Sequence, residues 1–494
     1  MTGLAELSAR ALAREASRPA LEFQGHWFNW GDMRRVAHRL TMLLDASGVK
    51  PGAPVIFVPR NHPSSIAALL GLIAHCRSVR MLYAFQSAAA LARDVTRLKP
   101  LLLVAAAEDF SEALLTVLHS QGAAAIALDE MDAHAVPGLA RSQNAAHPQA
   151  PTQPQLEILP SGTTGPPKPF AMSYELIAQH IVGVHAVVPG QESESLQLPP
   201  TLLYFPLGNI TGIYSTLPPL LKGQRAVSLE RVGWHDYVLR YRPEVSGLPP
   251  AGIQMVLDAN IPPSDLACIR RLGTGAAPLN PSVHRAFEKR YGIPILLAYG
   301  ATEFGGPVAA MTAELHATWG EKKFGSVGRP LPGAQLRVID SDTGAVLPPG
   351  TEGILEVVSP RIGPGWIRTS DIGILDDDGF LFLRGRADGA IMRGGFKLLP
   401  ETIESALLLH PGISVAAVVA LTDKRLGQVP TAAIQLKPGV ERPAIADLEA
   451  HLREYVYATH IPVAWRFVEA LPRTPSFKVD RPALRELFEA NPLL

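Results

Sequence analysis

Residues 161–168 read Ser-Gly-Thr-Thr-Gly-Pro-Pro-Lys, which puts three hydroxyls, two glycines and a lysine within eight positions. Glycines let main-chain N–H groups come close to a phosphate, hydroxyls add donors, and an ammonium adds a point charge. Ser161, Gly162, Thr163, Thr164, Gly165 and Lys168 are therefore candidates for holding phosphate. The same composition also suits an ordinary surface loop. It is not a Walker A loop, because the G-K-[ST] ending is missing and the spacing differs. Gly273-Thr274-Gly275 invites a dinucleotide loop, but Pro278 stands where the third glycine is needed. No G-x-S-x-G elbow or H-E-x-x-H occurs, and the fifteen histidines do not cluster at metal-ligand spacing. A hydrolase is disfavoured.

Five further segments follow in order. They are Tyr299-Gly300-Ala301-Thr302-Glu303, Gly325-Ser326-Val327-Gly328-Arg329-Pro330, Arg368-Thr369-Ser370-Asp371, Gly385-Arg386-Ala387-Asp388 and Pro472-Arg473-Thr474-Pro475-Ser476-Phe477-Lys478. With the 161–168 loop they resemble the signatures of the adenylate-forming superfamily of acyl-CoA synthetases, carrier-loading adenylation domains and luciferases. The similarity runs from about residue 20 to 484, with Ser370 replacing the usual glycine.

That resemblance implies a reaction and a role for each matched residue. A carboxylate attacks the α-phosphate of ATP, pyrophosphate leaves, and a nucleophile then takes the acyl group. Two anions must be brought together while charge grows on the attacking and leaving oxygens. Ser161, Thr163, Thr164 and Lys168 would hold the β- and γ-phosphates, Thr302 the α-phosphate, and Glu303 a Mg²⁺ ion, a hard cation suited to carboxylate oxygen. Asp371 would accept from both ribose hydroxyls, supported by Arg386. Gly275, Ala276, Ala277 and Pro278 resemble the adenine-facing turn. Lys478 would bridge the substrate carboxylate and the α-phosphate, and Asp388 matches the hinge on which the C-terminal domain turns. The bland alternatives are a solvated Glu303, a surface ion pair for Asp371 and Arg386, and a solvated Lys478.

Several positions depart from the pattern. Pro169 follows Lys168 and removes an N–H donor. Phe477 replaces the glycine before Lys478, and Thr402 stands where the P-x-E-x-E segment, here starting at Pro400, has its first glutamate. Asn209 occupies an acyl-pocket position that often holds histidine or an aromatic residue. No acidic residue lies between Tyr204 and Gly223, which disfavours an α-amino acid and favours an apolar or aromatic carboxylic acid. Arg393-Gly394-Gly395-Phe396-Lys397 resembles the loop that meets coenzyme A, the expected acceptor. A separate carrier protein and an amine are the alternative acceptors. A nucleotide-binding homologue without turnover is the alternative of another class.

The elements that must position these residues read as α/β. Apolar runs at 20–23, 27–30, 55–58, 101–105 and 124–128 predict strands, and residues 32–47 and 64–74 predict helices. The residues at 135–154 read as an exposed connection. Beyond 389 the pattern shifts to smaller units. Helices are expected at 402–409, 444–456 and 482–489, and strands at 415–421, 431–436 and 465–468. The expected organisation is a large N-terminal AMP-binding domain of layered α/β subdomains (1–387) and a small mobile α+β domain (389–494).

Composition sets the outer limits. The 494 residues carry 45 basic and 45 acidic side chains, a formal net charge of zero. This balance disfavours nucleic acid and anionic membrane as partners. Cys76 and Cys268 cannot build a disulfide framework, and their apolar surroundings predict buried thiols. No apolar run is long enough to span a bilayer and no signal pattern opens the chain, so a cytoplasmic location is expected.

Overall fold

The computed structural model describes residues 3–50, 53–139, 151–159, 170–183, 198–228, 233–275, 277–387, 389–393, 396–423, 425–474 and 478–490. The chain divides into two compact units, Met1–Pro243 with Ala301–Gly306, and Glu244–Gly300 with Pro307–Leu494.

The first unit is built on a seven-stranded sheet. Its order is Ala133–Ala135, Ala124–Leu128, Leu102–Ala106, Val55–Val58, Val79–Met81, Gln155–Ile158 and Phe170–Ser173. The central pairings are parallel, and only the two edge strands run antiparallel. Val55–Val58, Leu102–Ala106 and Ala124–Leu128 are buried at every residue. Continuous burial is what a parallel strand covered on both faces requires. The Pro63–Ala74 helix is likewise buried along its length and carries no polar stripe.

The helix predicted at 32–47 spans Trp30–Ala46. It starts earlier because Asn29 and Asp32 form a reciprocal capping box, each side chain accepting the other's N–H at 2.9 Å. The cysteine expectation is corrected: Cys76 is exposed and Cys268 half-buried. Cys76 sits just past the buried helix at φ +53°, a left-handed position that turns it away from the core.

A second, four-stranded sheet in this unit joins Thr201–Leu203, Ala226–Ser228, Pro19–Phe23 and His26–Asn29. The Ile210–Leu221 helix follows Thr201–Leu203.

The second unit holds three sheets. The first runs Val245–Gly247, Arg271–Thr274, Ile295–Ala301, Gly306–Ala310 and Arg329–Pro330. An antiparallel sheet follows, formed by Gln335–Ile339, Glu352–Ser359, Gly363–Leu375 and Leu381–Arg386. The C-terminal sheet orders Phe396–Leu398, Ile391–Arg393, Gly427–Leu436 and Ile413–Asp423, with Ala464–Phe467 parallel to Gly427–Leu436.

Helices Pro400–Leu407 and Ile445–Arg453 close one face of the C-terminal sheet over Ile403, Leu407, Leu448, Leu452 and Trp465. Arg481, at the start of the Arg481–Ala490 helix, reaches the Val418 carbonyl at 2.6 Å and Glu404 at 3.0 Å. Among the described residues no helix is long and apolar enough to cross a membrane.

Candidate functional site

Asp371 is aimed by a fault in a strand. Along the Glu352–Ser359 and Gly363–Leu375 pair, Ile354 faces Ile372 and Glu356 faces Arg368. One residue on the first strand thus spans three on the second, and Thr369, Ser370 and Asp371 bulge from the ladder. A bulge re-aims side chains that strict alternation would fix to one face. The bulge is held by side chains. The Thr369 hydroxyl donates to the Leu355 carbonyl at 2.8 Å and accepts the Asp371 N–H at 3.0 Å. Arg368 bonds the Ser341 carbonyl at 2.7 Å.

Three partners meet at this bulge. The Tyr299 hydroxyl donates to Asp371 Oδ2 at 2.5 Å. Arg386 is the cross-strand partner of Asp371, with Nε 4.0 Å from Oδ1. Arg386 Nη2 donates instead to the Ser370 hydroxyl at 2.7 Å. Burial, reinforced by the Asp371 charge, pushes the Tyr299 phenol well above the ordinary 10.0. Tyr299 therefore stays a donor at neutral pH. The Arg386 side chain is 56% exposed, so its attraction for Asp371 is weakened by solvent.

Two glycine motifs fix the strands that carry this cluster. Gly275 lies against the Ala298 carbonyl, where a Cβ would stand 2.9 Å from the oxygen. The turn containing Ala277 and Pro278 therefore leaves its strand beside Tyr299. Gly328 sits at φ +93°, and a Cβ there would fall 2.0 Å from Ala310. Around it, the buried Ser326 hydroxyl donates to the Leu381 carbonyl at 2.8 Å, and Val327 N–H bonds the same oxygen. The G-x-x-G-x-P segment thus anchors the strand that ends in Arg386.

The first unit holds Thr302 and Glu303. They form a short 3₁₀ turn, Thr302–Phe304, closed by the Gly305 N–H on the Thr302 carbonyl at 2.9 Å. Phe304 is buried beneath the turn and Glu303 is exposed. The Tyr214 hydroxyl, on the Ile210–Leu221 helix, donates to the Gly305 carbonyl at 2.8 Å. Asn209 caps that helix, its Oδ1 accepting the Gly212 N–H at 2.7 Å. The Asn209 oxygen therefore has a structural duty.

Lys478 is exposed in the second unit. Its N–H bonds Thr474 Oγ1 at 3.2 Å and its carbonyl accepts the Thr474 N–H at 2.8 Å. Lys397 lies on the Phe396–Leu398 strand. Arg393 bonds the carbonyls of Thr459, in the Ala458–His460 3₁₀ turn, and of Ile461 just after it. Ser161, Gly162, Thr163, Thr164, Gly165, Lys168, Pro169, Ala276, Asp388, Gly394, Gly395 and Phe477 lie outside the described residues.

Sequence alone did not reveal the work of Ser370, Ser326 or Tyr214. Ser370 registers in the sequence only as a replaced glycine. A hydroxyl beside a candidate binding carboxylate was the available signal.

Residues 8–367 match the AMP-binding enzyme family, and residues 402–478 match the AMP-binding enzyme C-terminal domain. The chain is 30% identical to the sulfoacetate–CoA ligase of Cupriavidus necator over 97% of this chain and 96% of that protein. It is 32% identical to a 2-succinylbenzoate–CoA ligase of Bacillus cereus over 67% of this chain and 70% of that one. Its fold is similar to that of the amide bond synthetase McbA from Marinactinospora thermotolerans, with a TM-score of 0.76 at 24% identity, covering 98% and 99% of the two chains.

Proposed function

The chain belongs to the AMP-binding enzyme family, and from that premise we propose that it activates a carboxylic acid with ATP and transfers the acyl group to coenzyme A. In the first step a carboxylate oxygen bonds the α-phosphorus and the bond to the β-phosphate oxygen breaks, releasing pyrophosphate. In the second the thiol sulfur bonds the acyl carbon, the thiol proton is lost, and AMP leaves.

The observation that carries this reading is the Asp371 carboxylate, held on a bulge with Tyr299 on one oxygen and Arg386 nearby. Two carboxylate oxygens match the two ribose hydroxyls of a nucleotide. By the family resemblance, Tyr299 and the Gly275 turn would face the base attached to that ribose. Thr302 and the 161–168 loop would take the phosphates.

Glu303 fits a divalent cation. It is an exposed carboxylate that makes no ion pair among the described residues, and hard oxygen donors suit Mg²⁺. The ion would neutralise phosphate charge during attack.

Lys478 would enter from the smaller domain and offset the repulsion between carboxylate and α-phosphate. We place the domain boundary at Asp388, giving 1–387 and 389–494. The Ala387 N–H bonds the Ser370 carbonyl at 2.6 Å, which carries the strand pairing to the residue before that hinge. The acid is assigned as apolar or aromatic. The segment from Tyr204 to Gly223 carries no carboxylate to meet an ammonium, and the Tyr204 and Phe205 rings lie 4.2 Å apart.

The test incubates the protein with ATP, Mg²⁺, coenzyme A and a panel of acids, and identifies products by mass. An acyl-CoA formed together with AMP is expected. Acyl transfer only to an added carrier protein or amine would replace the acceptor. Neither AMP nor acylated product from any acid would favour a nucleotide-binding protein without turnover.

A further inference from the structure

We propose that Ser370 is a positioning residue that keeps Arg386 from closing on Asp371, an inference that rests on assigning Asp371 to the ribose. Asp371 and Arg386 are cross-strand partners, so the guanidinium can reach the carboxylate with little backbone movement. An arginine this close to a carboxylate ordinarily closes to a two-bond fork at about 2.7–2.9 Å. Here it does not. Nε stays 4.0 Å from Oδ1, while Nη2 is held by the Ser370 hydroxyl at 2.7 Å.

The geometry explains why this matters. Tyr299 already occupies Oδ2. A closed Arg386 fork would engage Oδ1 as well, and the ribose hydroxyls would have to break it on entry. Ser370 offers the guanidinium another acceptor one residue away on the same bulge. The bulge fixes that acceptor, because Thr369 pins the turn to Leu355 and the Ser370 carbonyl is bonded to the Ala387 N–H. The hydroxyl in place of glycine is thus a spacer between a cation and the carboxylate it would otherwise cover.

Equilibrium binding of ATP with Mg²⁺, without acid, tests this by calorimetry on the full chain, with thermal unfolding as the folding control. Ser370→Ala should weaken ATP about three- to tenfold, the scale of one ordinary net hydrogen bond. Binding of 2′,3′-dideoxy-ATP, which lacks both ribose hydroxyls, should not change. Ser370→Thr keeps the hydroxyl and should bind ATP like the parent. In an Arg386→Ala background Ser370→Ala should have no further effect, because no guanidinium remains to close. Unchanged ATP binding by Ser370→Ala, equal loss of ATP and the dideoxy analogue, or an additive loss with Arg386→Ala would overturn the inference. The ribose assignment is read separately: it stands if Asp371→Ala weakens ATP and spares the analogue, and falls, taking this inference with it, if Asp371→Ala binds ATP like the parent.

Discussion

Tyr299 and Asp371 are joined by a 2.5 Å hydrogen bond from phenol to carboxylate, although 72 residues separate them. Tyr299 comes from a parallel-paired strand and Asp371 from the bulge of an antiparallel sheet. The bond therefore ties together two sheets of the second unit at two residues of the proposed nucleotide site.

The Tyr299 phenol should betray itself in alkali. Its folded-state value is raised above 10.0, so the stability it contributes is complete below pH 10 and is lost as pH rises past that. In a spectrophotometric titration Tyr299→Phe should leave the tyrosines that ionise near pH 10 unchanged and remove one that ionises later. Loss of an ordinary titration instead would mean that the phenol is accessible.

Glu288 predicts the opposite behaviour in acid. Burial raises its carboxyl, but the His284 ring 3.2 Å away, the Ile295 N–H bond at 2.8 Å and the nearby His316 ring outweigh that and hold it below the ordinary 4.5. Its contribution is present above pH 4.5 and is lost as pH falls through the lowered value. Glu288→Gln should cost about 1–2 kcal/mol in denaturant unfolding at pH 7. The gap from the parent should shrink below pH 4.5. A pH-independent gap would contradict the assignment.

Gly306 has no room for a side chain. Its φ is +117°, and a Cβ would lie 2.4 Å from the Tyr214 ring. Gly306→Ala should destabilise the protein by about 2 kcal/mol or more, through backbone strain and the clash together. Tyr214→Phe, which loses the bond to Gly305, should cost about 1 kcal/mol. Equal midpoints for the parent and Gly306→Ala would show that the segment after Glu303 relaxes freely.

Much of this was legible in the residues themselves. Buried strands such as Val55–Val58 and Ala124–Leu128 announce themselves as unbroken apolar runs, because a sheet covered on both faces needs no polar alternation. The nucleotide candidates were legible as motifs: Tyr299 in Tyr-Gly-Ala-Thr-Glu, Asp371 in Arg-Thr-Ser-Asp and Arg386 in Gly-Arg-Ala-Asp. Their arrangement was not legible. A three-residue bulge carries no clear mark in Arg-Thr-Ser-Asp, and the Ser370 contact depends on a strand partner 16 residues away. Cys76 was misplaced for a related reason, since apolar neighbours do not report a left-handed turn.

Lys478 tests the division of labour between the half-reactions. Lys478→Ala should lose acyl-adenylate formation by a hundredfold or more, on the order expected for a lost electrostatic contact in the transition state. Thioester formation from pre-made acyl-adenylate should be spared. Equal loss of both steps in single-turnover assays would contradict a lysine that serves adenylation alone.

The central claim is that this chain joins a carboxylate to the α-phosphate of ATP. Acid-dependent exchange of labelled pyrophosphate into ATP measures that step directly, since it needs no acceptor and runs only through a reversible acyl-adenylate. The account predicts exchange with at least one apolar or aromatic acid, none without acid, and loss of exchange in Asp371→Ala at ATP concentrations that saturate the parent. ATP binding without exchange for any acid tested would contradict it.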